Sequence, residues 1–212
     1  MTDISNQFTL AFTICPDRYI EFYNAFSSLL ELNPSASNVL LIFNKYSQKD
    51  YDRLFDIEEI RNHCDIIKLN KYHNLAQLWN MAIMYSNTRY TIVYNEDVVF
   101  QDTDMLSKVY RQHQNDYKLV YTAECLCGFS LDKSLIPEVG WFDENFPHSW
   151  EDTDYRYRME RLGIKDYRIQ PECVRHLRCK KGRLPSNWDK SSDYFFKKWN
   201  ISKKYEEISG NK

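Results

Sequence analysis

Glycine is scarce, at 5 of 212 residues. The first apolar run leads into Cys15-Pro16-Asp17-Arg18 and not into a Gly-rich phosphate loop. That absence argues against a sugar-nucleotide-forming nucleotidyltransferase and against a dinucleotide-binding dehydrogenase or methyltransferase. Long apolar runs are missing too. No window approaches the roughly 18 consecutive apolar residues of a membrane-spanning helix, so none is expected. The opening Met1-Thr2-Asp3-Ile4-Ser5 has neither a charged n-region nor an apolar h-region, so no signal peptide is read and a cytoplasmic location is expected. There is no basic surplus: Lys and Arg total 28 against 30 Asp and Glu, which excludes a general nucleic-acid binder. The six cysteines, at 15, 64, 125, 127, 173 and 179, are irregularly spaced. Cys125-x-Cys127 is too tight for a zinc knuckle and no second pair matches it, so reduced thiols are the default.

Aromatic residues are plentiful, with 16 Tyr and 5 Trp. Such rings suit sugar faces and suit a core equally, so their number alone assigns nothing. The length fits a single domain able to bury a full core. Strands are expected at 8–15, 39–43, 65–69, 90–94 and 118–122, with 8–15, 39–43 and 90–94 reading as buried apolar runs. Helical spacing marks 20–32, 51–62, 75–83, 105–113 and 150–162. Alternating strands and helices over the first 120 or so residues predict an α/β fold with a mostly parallel central sheet flanked by helices. The alternation breaks after Asp116. This divides a single 1–212 domain into a ligand-binding half to about 116, a second half from 117 to about 185, and a helical tail over 186–212. In such sheets ligands bind at the carboxyl ends of the strands. That directs attention to residues 15–18, 44–46 and 95–97.

Three clusters carry possible chemistry. Asn95-Glu96-Asp97 ends a buried strand. Carboxylates there suit a hard cation, or merely a polar turn. Glu151 and Asp152 open a helix after Val139-Gly-Trp-Phe-Asp-Glu-Asn-Phe146. They could supply a general base. They could equally be helix-start acids, with Ser149-x-x-Asp152 resembling a capping box. Residues 174–183, Val-Arg-His-Leu-Arg-Cys-Lys-Lys-Gly-Arg, hold five Lys or Arg and no acid. They suit an anion, or form a solvated basic loop.

The order and spacing of these clusters resemble GT-A glycosyltransferases, especially the inverting family 2, over roughly residues 8–180. Leu75-Ala-Gln-Leu-Trp-Asn-Met-Ala-Ile83 resembles the helix before the metal motif, with Asn80 at a position where Asn is common. Asn95-Glu96-Asp97 resembles the DxD motif, Cys127-Gly-Phe-Ser-Leu131 the stretch that frames the donor sugar, and Gly140-Trp-Phe-Asp-Glu144 with Glu151-Asp152-x-Asp154 the second signature. The resemblance implies a metal-dependent glycosyltransferase that moves a sugar from a nucleoside-diphosphate sugar to a glycan or other hydroxyl acceptor, with Mn²⁺ or Mg²⁺ as cofactor. It implies Asp97 and His176 as metal ligands, Asp152 as base and Glu151 beside the acceptor. It places Asn44, Asn80, Asn95, Glu96, Lys180 and Lys181 near the nucleotide and diphosphate, and Gly128, Trp141 and Trp150 near the sugars. Three departures stand out. The first DxD position is Asn95, the second strand ends in Asn44-Lys45 where an acid is usual, and Asn74 stands near the family's usual Gly. Two other classes remain open: a glycoside hydrolase with paired carboxylates, and a non-catalytic sugar-binding module of a larger protein.

Overall fold

The computed structural model describes residues 4–16, 18–32, 38–55, 60, 64–123, 126–147, 149–177 and 188–201. A 3₁₀ turn at Ser5–Gln7 leads into β1 (Phe8–Ile14), all of whose residues are buried. Then follow α1 (Tyr19–Leu32), β2 (Val39–Phe43), α2 (Gln48–Phe55), β3 (Cys64–Lys68), α3 (Leu75–Tyr85), β4 (Tyr90–Asn95) and β5 (Val98–Phe100). The second half holds α4 (Met105–Gln114), β6 (Leu119–Tyr121), β7 (Gly128–Asp132) and the single-turn α5 (Ile136–Val139). The described chain ends with α6 (Glu151–Arg161), β8 (Asp166–Arg168), β9 (Val174–His176) and α7 (Trp188–Trp199).

Seven strands form one sheet in the order β3-β2-β1-β4-β7-β6-β8. The pairs β3–β2, β2–β1, β1–β4 and β6–β8 are parallel, and β7 runs antiparallel to both β4 and β6. The continuous apolar runs read as buried strands because helices cover both faces. Phe8, Leu10, Phe12 and Ile14 of β1 join one cluster with Phe22, Phe26 and Leu29 of α1 and with Met105 and Val109 of α4. The neighbouring Ala11 joins Trp79, Ala82 and Ile83 of α3 on the opposite face, where Phe129, Phe142 and Tyr155 also pack. A third cluster, built on Phe146, Trp150, Phe195 and Phe196, seats α7 on the segment before α6.

Several expectations shift. The helix expected over 51–62 begins at Gln48, and residues 56–59 and 61–63 lie outside the described set. The basic stretch is not all loop: Val174–His176 is a strand, and it pairs with β5 in a separate two-stranded ribbon. The capping box at Ser149 does not form, because Trp150 is the residue before the helix and makes no side-chain cap bond. Ser149 and Trp150 both sit in the left-handed region, at φ 69° and 71°. The capping box occurs instead on α3, where Asn74 accepts from the Gln77 amide and the Gln77 side chain accepts from the Asn74 amide. None of the described cysteines is in a disulfide. No helix among the described residues is long and apolar enough to cross a membrane.

Candidate active site

Successive crossovers carry the chain outward from β1 through β2 to β3, and the next strand, β4, returns to the other side of β1. This makes β1 and β4 the switch point, where a crevice opens beyond the carboxyl ends of the strands. Both ends are polar. β1 runs into Cys15, Pro16 and Arg18, and β4 into Asn95, Glu96 and Asp97. Arg18 bridges the crevice: its Nη1 lies 3.3 Å from Glu96 Oε1 and 3.5 Å from Asp97 Oδ2. The β5–β9 ribbon closes the opposite flank, placing Val98 against His176. His176 Nε2 lies 3.0 Å from Asp97 Oδ1, and the Leu177 amide donates to the Asp97 carbonyl.

These neighbours set the charges. Burial acts to raise the Asp97 carboxyl, but the hydrogen bond and charge of His176 and the charge of Arg18 outweigh it and hold it below its ordinary value. Glu96 goes the other way, to about 7, because burial and the adjacent Asp97 charge outweigh Arg18. Burial, followed by the charge of Glu96, raises the Cys15 thiol to about 11, which favours the neutral thiol in this wall of the crevice. Asn95 has a buried Oδ1 that meets no donor.

The carboxylate, the imidazole and the orphaned amide oxygen are donor atoms that divalent ions of the Mg²⁺–Mn²⁺ kind accept. Among the described residues no three His, Cys, Asp or Glu converge as a metal cage. The set therefore fits an ion shared with a ligand's phosphates, which commonly takes only one or two protein carboxylates.

Next to the switch point, Ile14, Cys15, Pro16, Tyr19, Phe43, Asn44, Lys45, Tyr46 and Ser47 line a small open cleft between the ends of β1 and β2. Asn44 lies in its wall with its amide already engaged. Nδ2 donates to the His73 carbonyl at 2.9 Å, and Oδ1 accepts from the His73 amide at 2.8 Å. Asn80 is engaged in the same way: its Nδ2 donates to the Phe142 carbonyl and to Glu144 Oε1, and its Oδ1 accepts from the Phe142 amide. Both asparagines thus fasten loops at the edge of the crevice. Gly128 begins β7 beside β4. A Cβ there would stand 2.8 Å from Thr122 Oγ1 and 2.9 Å from the Tyr94 ring, so only glycine fits without displacement.

The second signature lies along the same edge of the sheet. Asn74, before α3, donates to the carbonyls of Glu144 and Phe146. This draws residues 142–146 towards the loop that follows β3. Trp141 is 43 % exposed, whereas Trp150 is 6 % exposed and enclosed by the rings of Trp188, Phe195 and Phe196. Glu151, 3 % exposed, has an Oε2 with no partner, and burial followed by the Asp152 charge pushes its carboxyl to about 8. Asp152 is half-buried and accepts from the Thr153 amide at 2.7 Å. Lys180 and Lys181 lie outside the described residues.

Arg18 is the site residue that the sequence motifs did not supply. The rule about strand ends takes in Arg18 within residues 15–18, but it assigns that residue no role.

No protein-family model matches the chain. A galactofuranosyl glycosyltransferase of Leishmania donovani is 38 % identical over 64 residues, which cover 29 % of this chain and 15 % of that protein. Among solved structures, the mannosyltransferase PcManGT from Pyrobaculum calidifontis, in complex with GDP-Man and Mn²⁺, superposes with a TM-score of 0.63 at 9 % identity. The match covers 83 % of this chain and 58 % of that one. The chain therefore has the fold of a glycosyltransferase and spans less than two thirds of either relative's length.

Proposed function

We propose that this chain transfers a sugar from a nucleoside-diphosphate sugar to an acceptor hydroxyl, with inversion at the anomeric carbon. One observation carries the reading: Asp97, His176 and Arg18 converge at the switch point of the sheet, within 3.5 Å of one another through Asp97. The glycosyltransferase relatives support it, one of them solved with a sugar nucleotide and Mn²⁺. Asp97 and His176, with the Asn95 amide oxygen, would hold Mn²⁺ or Mg²⁺ beside the diphosphate. Such an ion, when bound, supplies a Lewis acid that stabilises the departing diphosphate. Arg18 adds a fixed positive charge at the same place, and Lys180 and Lys181 are assigned the same role.

On the acceptor side, Asp152 takes the proton of the attacking hydroxyl. Glu151, neutral at pH 7 by its raised pKa, donates a hydrogen bond to the acceptor and adds no charge against the base. The exposed Trp141 offers a sugar-stacking face.

The test has two arms. Calorimetry should show a nucleoside diphosphate binding more tightly with Mn²⁺ than with chelator, and Asp97→Ala should abolish the difference. Equal affinities in the wild-type protein would remove Asp97 from the metal. Asp152→Asn should keep donor affinity and lower kcat by roughly 10²–10⁴-fold; wild-type turnover in a folded variant would remove Asp152 from the chemistry.

A further inference from the structure

Two acids of the second signature, Asp143 and Asp154, are engaged in ion pairs with the last described helix. Asp154 is fully buried on α6, and its carboxylate is divided between two helices. Oδ2 accepts from Arg158 Nε at 3.0 Å, one turn along the same helix. Oδ1 accepts from Trp199 Nε1 at 2.9 Å and lies 2.7 Å from Lys198 Nζ, both on α7. The Lys198 ammonium also reaches Asp143 Oδ2 at 2.7 Å, and Tyr194 donates to that same oxygen at 3.0 Å. Arg158 continues the network to the carbonyls of Val139 at 2.6 Å and Trp141 at 2.9 Å.

One lysine on the last described helix thus joins the acid of Gly-Trp-Phe-Asp-Glu to the last acid of Glu-Asp-x-Asp. Between those two anchors lie residues 144–153, including the left-handed pair Ser149 and Trp150. A left-handed conformation at a tryptophan is unfavourable in itself and persists only where the surroundings impose it. Here they do, because the Trp150 ring is held by Trp188, Phe195 and Phe196, all from α7. The turn then delivers Glu151 and Asp152 directly into the first turn of α6.

We propose that α7 is part of the active site, and that Lys198 and Trp199 are positioning residues that hold the Glu151–Asp152 turn through Asp143 and Asp154. The assignment rests on the transferase reading for its kinetic consequence. Its structural half stands apart from that reading. Neither residue lines the cleft between the ends of β1 and β2. Removing either should therefore leave donor binding alone and misplace the acceptor-side carboxylates, and a misplacement of about 1 Å can cost 10²-fold in rate.

The test uses Lys198→Met, which keeps the aliphatic stem, with Lys198→Arg as a rescue. Trp199→Phe is a milder variant that keeps an aromatic ring beside Tyr157 and removes the Nε1 donor to Asp154. Hydrogen exchange on the substrate-free protein should speed up at residues 149–154 in Lys198→Met and in Trp199→Phe while β1 and β4 stay unchanged. Lys198→Arg should restore protection. With donor and acceptor present, kcat should fall roughly 10–10²-fold with the donor KM unchanged. Faster exchange confined to α7, or a loosened 149–154 turn with wild-type kcat, would overturn the proposal. If the wild-type protein turns over no nucleotide sugar, the transferase reading fails, and the exchange data still decide whether α7 holds the turn.

Discussion

At the scale of single residues, polar groups at one edge of the sheet divide into those whose hydrogen bonds are complete and those left open. Asn44 and Asn80 are complete: each amide pairs with a backbone segment. Asn95 and Glu151 are open, each with a buried oxygen and no partner. A sequence motif cannot make that distinction, because an asparagine at a strand end looks the same whether its amide holds a loop or a ligand. Glu151 gives a direct test. Its folded-state pKa stands near 8 against 4.5 for the free side chain. The folded protein therefore holds the proton more tightly than the unfolded chain. The stability from this group is complete below about pH 4.5 and is lost as pH rises towards 8. Glu151→Gln keeps the neutral shape and has no proton to lose. Urea unfolding between pH 4.5 and 8.5 should show a flatter profile for the variant; parallel profiles would mean that Glu151 is charged when folded. Gly128 gives a second test at this scale. The methyl of Gly128→Ala would press on Thr122 Oγ1 and the Tyr94 ring. Overpacking of that kind costs about 1–3 kcal/mol, measurable as a lower urea midpoint with an unchanged slope. An unchanged midpoint would show that β7 can move away from β4.

At the scale of elements, legibility followed length. β1, β2 and β4 were readable because five to seven consecutive buried residues leave a continuous apolar run. β5 and β9 have three residues each and pair across a long stretch of chain, Val98 with His176. Three residues show no period, so the ribbon that brings His176 to Asp97 was visible only as two motifs in order. The true capping box at Asn74 was missed for a related reason. Its Asn-x-x-Gln pattern is weaker than the acid-rich start of α6, where a box was expected and a left-handed turn occurs. Asn74 performs two tasks that substitution can separate. Its Oδ1 caps α3 at Gln77, and its Nδ2 tethers the carbonyls of Glu144 and Phe146 at 2.8 and 3.1 Å. Asn74→Ala removes both, and losing the cap alone typically costs about 1 kcal/mol. Asn74→Asp keeps the cap, adds a favourable charge at the helix start, and turns an acceptor towards two carbonyls. The expected result is near-normal stability in Asn74→Asp, with faster hydrogen exchange at residues 144–146. If both variants lose the same stability, the tether matters more to the fold than the cap.

At the scale of the whole molecule, the two edges of the sheet differ in kind. The mostly parallel sheet and its helical cover were legible from the alternation of runs, but the return of β4 to the inner side of β1, which creates the crevice, depends on strand order and leaves no local trace. The edge away from the crevice is closed by matched pairs. Arg89 lies 2.8 Å from the buried Asp132, Thr9 bonds Thr88 at 2.9 Å, Ser134 donates to Asp132 at 2.9 Å, and Lys133 donates to the Ser86 carbonyl. The opposite edge gathers Arg18, Glu96, Asp97 and His176, and the same strand end carries Asn95 with its orphaned oxygen. A ligand should therefore be felt at one edge only. Adding a nucleoside diphosphate with Mn²⁺ should slow amide exchange at residues 15–18, 44–46, 95–97 and 176–177, and leave residues 86–89 and 132–134 unchanged. Arg89→Ala should make the complementary case. It deprives the buried Asp132 carboxylate of its closest cation, so the variant should melt earlier. Its affinity for the nucleotide should stay at the wild-type value, because no element of the crevice depends on that pair. Protection spread evenly over both edges, or weaker nucleotide binding in Arg89→Ala, would show that ligand binding tightens the sheet as a whole and that the crevice is not the seat of recognition.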